Sequence, residues 1–439
     1  MLNVKYLFLG EWDSFEGAAS SKRVVDNEKK KLEEEIDNLS KELKVKFIGG
    51  EILNSEEQLD SSFSDVDIML VSLLGGISDE ILHVLYSYNI PMIIYTKDIG
   101  EIFSWGSLWY PYFMKDIRKM GGGNVDVVTN VDELRDKLKI IGAAKKLRTT
   151  KILCIGNPMY SPFRSRMWGY FGVRKAREKF GVQIEFISAS KFIEMIKNMD
   201  YRQEAASVAE EFMSGALEIK EPTKEKIVDA ARLYLLIKDV IAKRDVNAFT
   251  INCLESQIIS QTGMVPCFAL SRLNNEGIPA ACEADITSLM NMLMVSYISN
   301  KPCFMVNPYL YPCSDRVILS HCVSPTKLDG ISKEPSPYII RSHFDSGQGV
   351  ASQVLLREEQ EVTITGLSYD KLDTLMVAKG VIKKNTGFPT CRTQVEVKVE
   401  NCRKLLDNYH GRHWMLVYGD YKEKLQSLCN LLGINFVEV

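Results

Sequence analysis

The sequence of 439 residues lacks the short motifs that mark a nucleotide cofactor or a structural zinc. It has no Walker A motif, and the turn at Gly156 lacks the spaced glycines of a dinucleotide fingerprint. Its ten cysteines form no closely spaced pair of the zinc-knuckle or thioredoxin-like kind, so most are expected to be small buried side chains. A nucleotide cofactor and a structural zinc are therefore not expected.

Strong charge and long apolar runs are also missing. The net charge is -3 with 25% charged residues, which gives no electrostatic case for nucleic acid or an anionic membrane as the main partner. The apolar run that opens the chain ends at Gly10, which is too short to span a bilayer, and it has no cleavage-like end. We predict that it is the first strand of a cytoplasmic protein.

The length favours two to four domains, because single cores stop growing near about 250 to 300 residues. Short β-rich runs alternate with amphipathic helical stretches up to about residue 145, and the pattern starts again at Lys151. This alternation is typical of parallel sheets with flanking helices. We predict an α/β fold with domains at 1–147, 148–247, where a bridging helix follows the sheet, and 248–439.

The last of these domains is predicted to contain a buried helix and then mostly strands. Residues 286 to 298 are rich in leucine and methionine, which leaves little room for a polar helix face. The runs that begin at Glu361, Leu375 and Thr393 alternate in the manner of an antiparallel sheet or small barrel. The C-terminal domain is therefore expected to combine a mixed sheet with a small antiparallel β-barrel.

The residues that could hold a metal ion are concentrated in this domain. It contains a Glu-x-Asp pair after a glycine turn, and four of the five histidines of the chain, namely Glu283, Asp285, His321, His343, His410 and His413. Carboxylates and imidazoles are the ligands that a hard or borderline divalent metal prefers. We therefore place the candidate site here.

Structural roles are the alternatives for the same residues. A carboxylate such as Glu283 in the first turn of a helix is favoured by the helix dipole, so it could simply cap the apolar helix. His321 lies in an apolar run, where a histidine is more often a satisfied core residue than a ligand. His413 has the same ambiguity.

Five motifs follow one another along the chain in a recognisable order: Cys267-Phe-Ala-Leu-Ser, Gly277-Ile-Pro-Ala-Ala-Cys-Glu283-Ala-Asp285, Ser320-His-Cys322, Ser342-His-Phe-Asp-Ser-Gly347 and His413-Trp-Met-Leu-Val-Tyr-Gly-Asp420. In this order they resemble the L-fucose isomerase and L-arabinose isomerase superfamily, above all its fucose-isomerase-like prokaryotic branch. The resemblance is strong over 248–439 and weaker upstream. It implies two Rossmann-like α/β domains before the catalytic domain.

Members of that superfamily interconvert aldoses and ketoses through a cis-enediol with a bound divalent metal, usually Mn²⁺. The resemblance implies that Glu283 and His413 are metal ligands and that His321 is a further one. It implies catalytic proton transfer by the carboxylates of Glu283 and Asp285. The expected substrate is a pentose, a deoxyhexose or a related sugar.

One position departs from the family pattern. The aspartate ligand of the fucose isomerases falls on Asn307, whose amide oxygen can coordinate a metal but brings no charge and cannot act as a base. Three hypotheses stay open: an active metal-dependent isomerase, a non-catalytic or weakly active sugar-binding paralogue, and a lyase or epimerase with the same enediolate chemistry. No residue pattern decides among them.

The resemblance also implies a homo-oligomer, a trimer or hexamer in which one subunit closes the active site of its neighbour. We predict that the segment from 105 to 111 is an aromatic loop. The predicted substrate-binding residues are Trp105 and Trp109 of this segment, Arg164 and His343. Subunit contact is the alternative for the tryptophans, and a solvated helix face for the arginine.

Overall fold

The structure is a computed structural model that describes residues 1–10, 22–59, 63, 65–74, 79–96, 106–119, 125–159, 167–254, 256–311 and 314–439. The chain divides into two compact units, Met1–Lys145 and Lys146–Val439. Within the described helices no stretch is both long and apolar enough to cross a membrane.

The first unit is a parallel sheet with helices on both faces. Its elements are β1 (Leu2–Leu9), α1 (Lys22–Leu43), β2 (Val45–Leu53), β3 (Ile68–Leu73), α2 (Asp79–Ser87), β4 (Met92–Tyr95), α3 (Gly106–Lys119), β5 (Val125–Val128) and α4 (Val131–Arg148). The strand order β2-β1-β3-β4-β5 is a doubly wound order, in which helices cover both faces of the sheet. The α/β prediction for this region is confirmed.

Two separate apolar clusters fill the two faces of this sheet. Helix α1 buries Val25, Leu32, Ile36 and Leu39 against one face, as its 3.6-residue spacing predicts. Helices α2 and α3 bury Leu82 and Phe113 against the other. Successive strand residues therefore point to opposite cores, which is why these strands are apolar throughout.

The predicted aromatic loop is partly wrong. Residues 106 to 111 belong to helix α3, which contains Pro111, so the segment is helical from Gly106 onward. Glycine and proline at the ends of the segment favour a loop when only local signals are weighed. Pro111 is the sixth residue of this helix, beyond the N–H groups that lack a helical acceptor, so the helix forms although one N–H···O=C bond is missing.

The second unit begins with another parallel sheet. Its elements are β6 (Lys151–Ile155), α5 (Met167–Phe180), β7 (Gln183–Ile187), α6 (Ala189–Asn198), α7 (Arg202–Ser214), β8 (Glu218–Ile219), α8 (Lys224–Arg244), β9 (Ala248–Ile251), α9 (Ile258–Thr262), α10 (Cys267–Asn275) and β10 (Ala280–Cys282). The sheet has the order β10-β9-β6-β7. Strands β9 and β10, which follow residue 247, thus extend the sheet that β6 begins.

A closed barrel lies in the rest of the second unit. The elements of this part of the chain are α11 (Ile286–Ser299), β11 (Phe304–Leu310), β12 (Arg316–His321), β13 (Tyr338–Arg341), β14 (Ala351–Val354), β15 (Glu361–Leu367), β16 (Thr374–Asn385), β17 (Thr393–Val399), α12 (Cys402–Asp407), β18 (Trp414–Tyr418), α13 (Lys422–Leu432) and β19 (Asn435–Glu438). Six antiparallel strands close in the order β15-β18-β11-β12-β17-β16, because β16 also pairs with β15. Strands β8, β13 and β14 form a small mixed sheet. The predicted mixed sheet and small barrel are confirmed.

Helix α11 connects the parallel sheet to the barrel. Its side chains are buried on every side, as predicted, and they include the polar Asn291. The Asn291 amide donates to the Thr365 carbonyl at 3.0 Å, and its oxygen accepts from the Thr365 hydroxyl at 2.8 Å. These buried bonds fix the helix against β15, and with it the residues that precede the helix.

Candidate metal centre

Three of the predicted ligands lie together. One ligand atom each from Glu283, His321 and His413 can be chosen so that all three atoms lie within 4.8 Å of one another. Glu283 follows the carboxyl end of β10, His321 is the last residue of β12, and His413 precedes β18. The cluster therefore forms where the parallel sheet meets one end of the barrel, from segments that are far apart in sequence.

The turn that carries Glu283 has an uncommon backbone. Glu283 and Ala284 both have positive φ, 61° and 51°, in the left-handed region that costs non-glycine residues about 1–2 kcal/mol each. Two hydrogen bonds of 3.0 Å secure the turn, from the Ala284 N–H to the Ile251 carbonyl and from the Met159 N–H to the Ala284 carbonyl. The surrounding sheet thus holds Glu283 in a position that its own backbone preference disfavours.

Asp285 caps helix α11, a role that the sequence left open for Glu283. Its Oδ1 accepts the Ser288 N–H at 2.9 Å, and its Oδ2 accepts the Ser288 hydroxyl at 2.6 Å. The same Oδ2 lies 2.8 Å from Nδ1 of His413, and the Asp285 side chain is only 1% exposed. Asp285 therefore orients His413, while the carboxylate of Glu283 belongs to the cluster of candidate ligands.

His413 is held so that its second ring nitrogen points at Glu283. With Nδ1–H donated to Asp285, the lone pair of a neutral ring lies on Nε2. That atom is buried without a hydrogen-bond partner among the described residues, and it lies 3.7 Å from Oε1 of Glu283. A histidine whose far nitrogen is bound to a carboxylate is the usual arrangement at metal sites.

His321 completes the cluster from the other side. Its ring centroid is 5.4 Å from that of His413, and its Nε2 is likewise buried without a hydrogen-bond partner in the described part of the chain. Its Nδ1 accepts the N–H of Cys322 at 2.9 Å, so the neutral ring carries its proton on Nε2. Coordination through Nε2 requires that proton to leave, and coordination through Nδ1 requires the Cys322 bond to break.

The charges of the cluster are strongly coupled. Burial alone would lower the pKa of His413, but the carboxylates of Glu283 and Asp285 outweigh it and raise the pKa to about 9. Burial opposes ionisation of Glu283, yet His413 and Arg412 lower its pKa to about 2. Burial, aided by the charge on His413, lowers the pKa of His321 to about 3. Without a metal, the His413 imidazolium supplies the positive charge between the carboxylates.

These residues fit a divalent metal ion. One carboxylate and two imidazoles suit Mn²⁺, Co²⁺ or Zn²⁺, and three protein ligands leave positions for substrate oxygens. Nε2 of His413, buried without a hydrogen-bond partner among the described residues, is what a ligand atom looks like before an ion satisfies it. His321 can offer Nδ1 once its bond to the Cys322 N–H is broken. Glu283, His321 and His413 are therefore the residues that would hold the ion.

Asn307 lies beside the cluster. It is half-buried on β11, and its Cα partner on β12 is Ser320, the neighbour of His321. On its other side Val306 pairs with Trp414, so His413 lies across from Asn307 one residue further along. This register brings the Asn307 backbone next to two of the three clustered residues. Its role as a ligand stays a prediction.

His343 lies near the cluster but has partners of its own. It is buried, its Nδ1 lies 3.0 Å from the Ser346 hydroxyl, and its Nε2 lies 4.0 Å from Asp345. Burial lowers its pKa, which favours a neutral ring. Trp105 and Arg164 lie outside the described residues, as does the side chain of Trp109. The predicted contacts of these four residues with substrate stay predictions.

Two residues near the cluster were missed by the sequence analysis. Arg412 lies beside His413 with a guanidinium nitrogen 3.5 Å from Oε2 of Glu283, and its side chain is 47% exposed. Tyr369 follows β15, and burial and the nearby Asp285 carboxylate raise its pKa. Arg412 could have been predicted, because it directly precedes His413, a predicted ligand. Tyr369 could not, because it lies in a loop whose local sequence does not indicate a site.

Cysteines also surround the cluster. Cys282 precedes Glu283 and Cys322 follows His321, and both are buried, as predicted. The Cys391 thiol donates a hydrogen bond to the Cys322 sulfur and lowers its pKa against the effect of burial, with help from the N–H groups of Phe344 and Arg392, to about 7. Each of these two cysteines is thus a buried sequence neighbour of a cluster residue.

Comparison with known proteins supports a sugar isomerase. No protein-family model matches the chain. Over 263 residues the chain is 23% identical to the sulfoquinovose isomerase of Clostridium sp. (strain MSTE9), and the aligned region is 58% of this chain and 58% of that protein. The chain thus spans less than two thirds of the relative's length. The relative is a sugar isomerase by name, and sugar isomerases are the class that the order of the motifs predicts for this chain.

Proposed function

We propose that the protein is a metal-dependent aldose–ketose isomerase that acts on a sugar through a cis-enediol. The cluster of Glu283, His321 and His413 carries the proposal, because it joins a carboxylate with two buried imidazoles whose Nε2 atoms have no hydrogen-bond partner in the described ranges. The similarity to a sulfoquinovose isomerase supports the reaction class. We further propose that the substrate is a pentose, a deoxyhexose or a related sugar and that the metal is Mn²⁺ or another divalent ion.

The chain's own groups have distinct roles in this proposal. A divalent ion, when bound, would stabilise the negative charge that develops on two neighbouring sugar oxygens. Glu283 and His413 bind the ion, and His321 joins them. Asp285 keeps His413 in the tautomer that offers Nε2, and it is too occupied by Ser288 and His413 to reach substrate.

Proton transfer between C1 and C2 falls to a carboxylate at the open side of the cluster. Glu283 is the more exposed of the two carboxylates, with 15% of its side chain exposed against 1% for Asp285. We therefore propose that Glu283 moves the carbon-bound proton. We propose Tyr369, whose raised pKa keeps its phenol protonated, as the acid for the sugar hydroxyls.

A sugar-binding protein with little or no isomerase activity is the second candidate. Asn307 favours it, because an amide cannot supply the second anionic ligand or act as a base. The loss of one negative charge beside the ion weakens metal binding and slows proton transfer. In this case the cluster would bind sugar and ion without turnover.

Two measurements test the proposal. First, the purified protein is stripped with a chelator and titrated with Mn²⁺ by calorimetry; failure to bind at micromolar to low millimolar concentrations would overturn metal dependence. Second, the Mn²⁺-loaded protein is incubated in D₂O with sulfoquinovose, glucose, L-fucose and L-arabinose, and ketose is followed by NMR. An isomerase that uses a cis-enediol incorporates deuterium at C1 of the ketose, whereas metal binding without any ketose would favour the sugar-binding protein.

A further inference from the structure

Arg412 has donors to spare at the edge of the cluster. Its side chain is 47% exposed, and among the residues that the structure describes its ion pair is with Glu283. The distance of 3.5 Å exceeds that of a good charge-assisted hydrogen bond. A guanidinium has five N–H donors, so one contact with Glu283 leaves donors for a ligand that enters from the open side.

The other arginine nearby is less exposed and has more partners. Arg392 donates from Nε to the Ser342 carbonyl at 2.8 Å and from a terminal nitrogen to the Ser342 hydroxyl at 3.0 Å. Its guanidinium lies over the Phe344 ring, and its side chain is only 15% exposed. Arg392 therefore secures the segment that contains His343, and Arg412 is the cation near Glu283 that can turn to a substrate.

Metal binding would release Arg412. A divalent ion bound to Glu283 repels the guanidinium that now pairs with the same carboxylate, because like charges a few ångströms apart destabilise each other. The exposed side chain can turn outward with little hindrance. Arg412 thus becomes available to a ligand when the site is loaded.

We propose that Arg412 binds an anionic substituent of the sugar, so that the natural substrate carries a sulfonate or phosphate group on the carbon chain beyond C1 and C2. The inference rests on the proposed function and adds the substrate class. Tetrahedral oxyanions pair with the planar guanidinium through two parallel N–H···O bonds. The sulfoquinovose isomerase that the chain resembles acts on a sugar of this class.

The test compares two anionic sugars with a neutral one in the full-length Mn²⁺-loaded protein. Sulfoquinovose, glucose 6-phosphate and glucose share the same ring hydroxyls at C1 to C4. A comparison of their rates therefore shows whether the protein prefers a sulfonate, a phosphate or neither. We expect kcat/KM for one anionic sugar to exceed that for glucose by at least about 10- to 100-fold, the range of a pair of charge-assisted hydrogen bonds. A wild-type preference for glucose would overturn the inference and leave the isomerase proposal standing.

Substitution of Arg412 then assigns the preference to this residue. In Arg412→Gln we expect the loss of kcat/KM for the anionic sugar to exceed the loss for glucose by about 10-fold or more, and Arg412→Lys should restore part of it. Equal losses for both sugars would show that Arg412 acts on Glu283 instead and would overturn the inference. Arg403→Gln, at an exposed arginine on α12, is the matched control.

A binding measurement keeps the outcome independent of turnover. Calorimetry of the Mn²⁺-loaded protein with each sugar should show tighter binding of the anionic sugar, and Arg412→Gln should remove that difference. If no sugar is converted, the isomerase proposal fails, and this titration still decides the role of Arg412. Equal affinities for sulfoquinovose, glucose 6-phosphate and glucose would overturn it.

Discussion

Oδ2 of Asp285 lies 2.8 Å from Nδ1 of His413, and both side chains are at most 1% exposed. The same carboxylate caps helix α11 through Ser288, so one residue fixes both the helix and the imidazole. Because α11 is bonded to β15 through Asn291, the orientation of His413 also depends on the packing of α11 against the barrel. Loss of this carboxylate should therefore affect metal binding more than it affects the fold.

We predict that Asp285→Asn lowers Mn²⁺ affinity by about 10- to 100-fold, the usual effect of removing the carboxylate behind a histidine ligand. Asparagine is as good a helix cap as aspartate, so the midpoint of denaturant unfolding of the metal-free protein should fall less than it does for Asp285→Ala. Calorimetry measures the affinity. Asp407→Asn, on exposed α12, is the control, and unchanged affinity in Asp285→Asn would show that the carboxylate does not support the ion.

Metal binding should release one proton over the neutral pH range. His413, with its pKa raised to about 9, is charged in the metal-free protein, while Glu283, with a pKa of about 2, is already ionised. His321, with a pKa of about 3, is neutral and loses no proton when it binds through Nδ1. An ion that takes Nε2 of His413 must expel its proton, so affinity should rise about tenfold per pH unit up to about pH 9 and then level off. Calorimetry in buffers of different ionisation enthalpy counts the protons. An affinity that is constant from about pH 6 to about pH 8 would contradict this assignment.

The metal-free protein should lose stability at alkaline pH. The folded pKa of His413 lies above its ordinary value of 6.5, so its contribution is complete below pH 6.5 and is lost as the pH rises through about 9. A difference of this size corresponds to a free energy of unfolding on the order of 3 kcal/mol. Denaturant unfolding at about pH 6 and about pH 9.5 measures it. His413→Gln should flatten the decline, and an equal decline in that variant would assign it to other groups.

Asn307→Asp should tighten metal binding. The strand register places residue 307 next to Ser320 and across from His413, so a carboxylate there adds negative charge close to the ion. We expect about a tenfold gain in Mn²⁺ affinity, and a gain in ketose formation if the asparagine limits proton transfer. Asn54→Asp, an exposed position in the first unit, controls for net charge. No change in affinity would mean that residue 307 does not face the ion.

Local sequence patterns predicted the elements that bury a periodic apolar face. β1 and the stripe of α1 lie where the spacing of their apolar residues indicates, and the buried α11 follows from a run with no polar face. The short strand β8 and the pairing of β9 with β6 and of β10 with β9 could not be predicted, because they depend on contacts between distant segments. The helical start of α3 was hidden by Gly106 and Pro111, whose local preferences were overridden by the buried face of the helix.

The residue types of the candidate site could be predicted from the sequence, but the role of each residue could be predicted only in part. Glu283 and His413 could be named from the order of motifs, but the sequence could not tell which carboxylate caps α11 and which faces the cluster. That choice depends on two consecutive left-handed residues, Glu283 and Ala284, which no local signal marks. The position of Arg412 depends equally on the tertiary turn that brings residues 411 to 413 close to Glu283.

Gly366 should prove necessary for the geometry of the segment that carries Arg412 and His413. A Cβ at this position of β15 would lie 2.7 Å from the His410 carbonyl oxygen and 2.9 Å from Nε1 of Trp414, closer than real contacts allow. The same indole nitrogen donates to the His410 carbonyl at 2.7 Å, so neither group can move without breaking that bond.

We therefore predict that Gly366→Ala lowers the free energy of unfolding by about 1–3 kcal/mol, the usual cost of overpacking, and weakens Mn²⁺ binding as well. Gly142→Ala is the control, because a Cβ there meets nothing within 4 Å and alanine in helix α4 should stabilise the protein by about 0.5–1 kcal/mol. Denaturant unfolding and Mn²⁺ calorimetry of both variants check the two effects separately. Lower stability with unchanged Mn²⁺ affinity would mean that the segment from 410 to 414 relaxes without moving His413, and that the cluster is held by Asp285 alone.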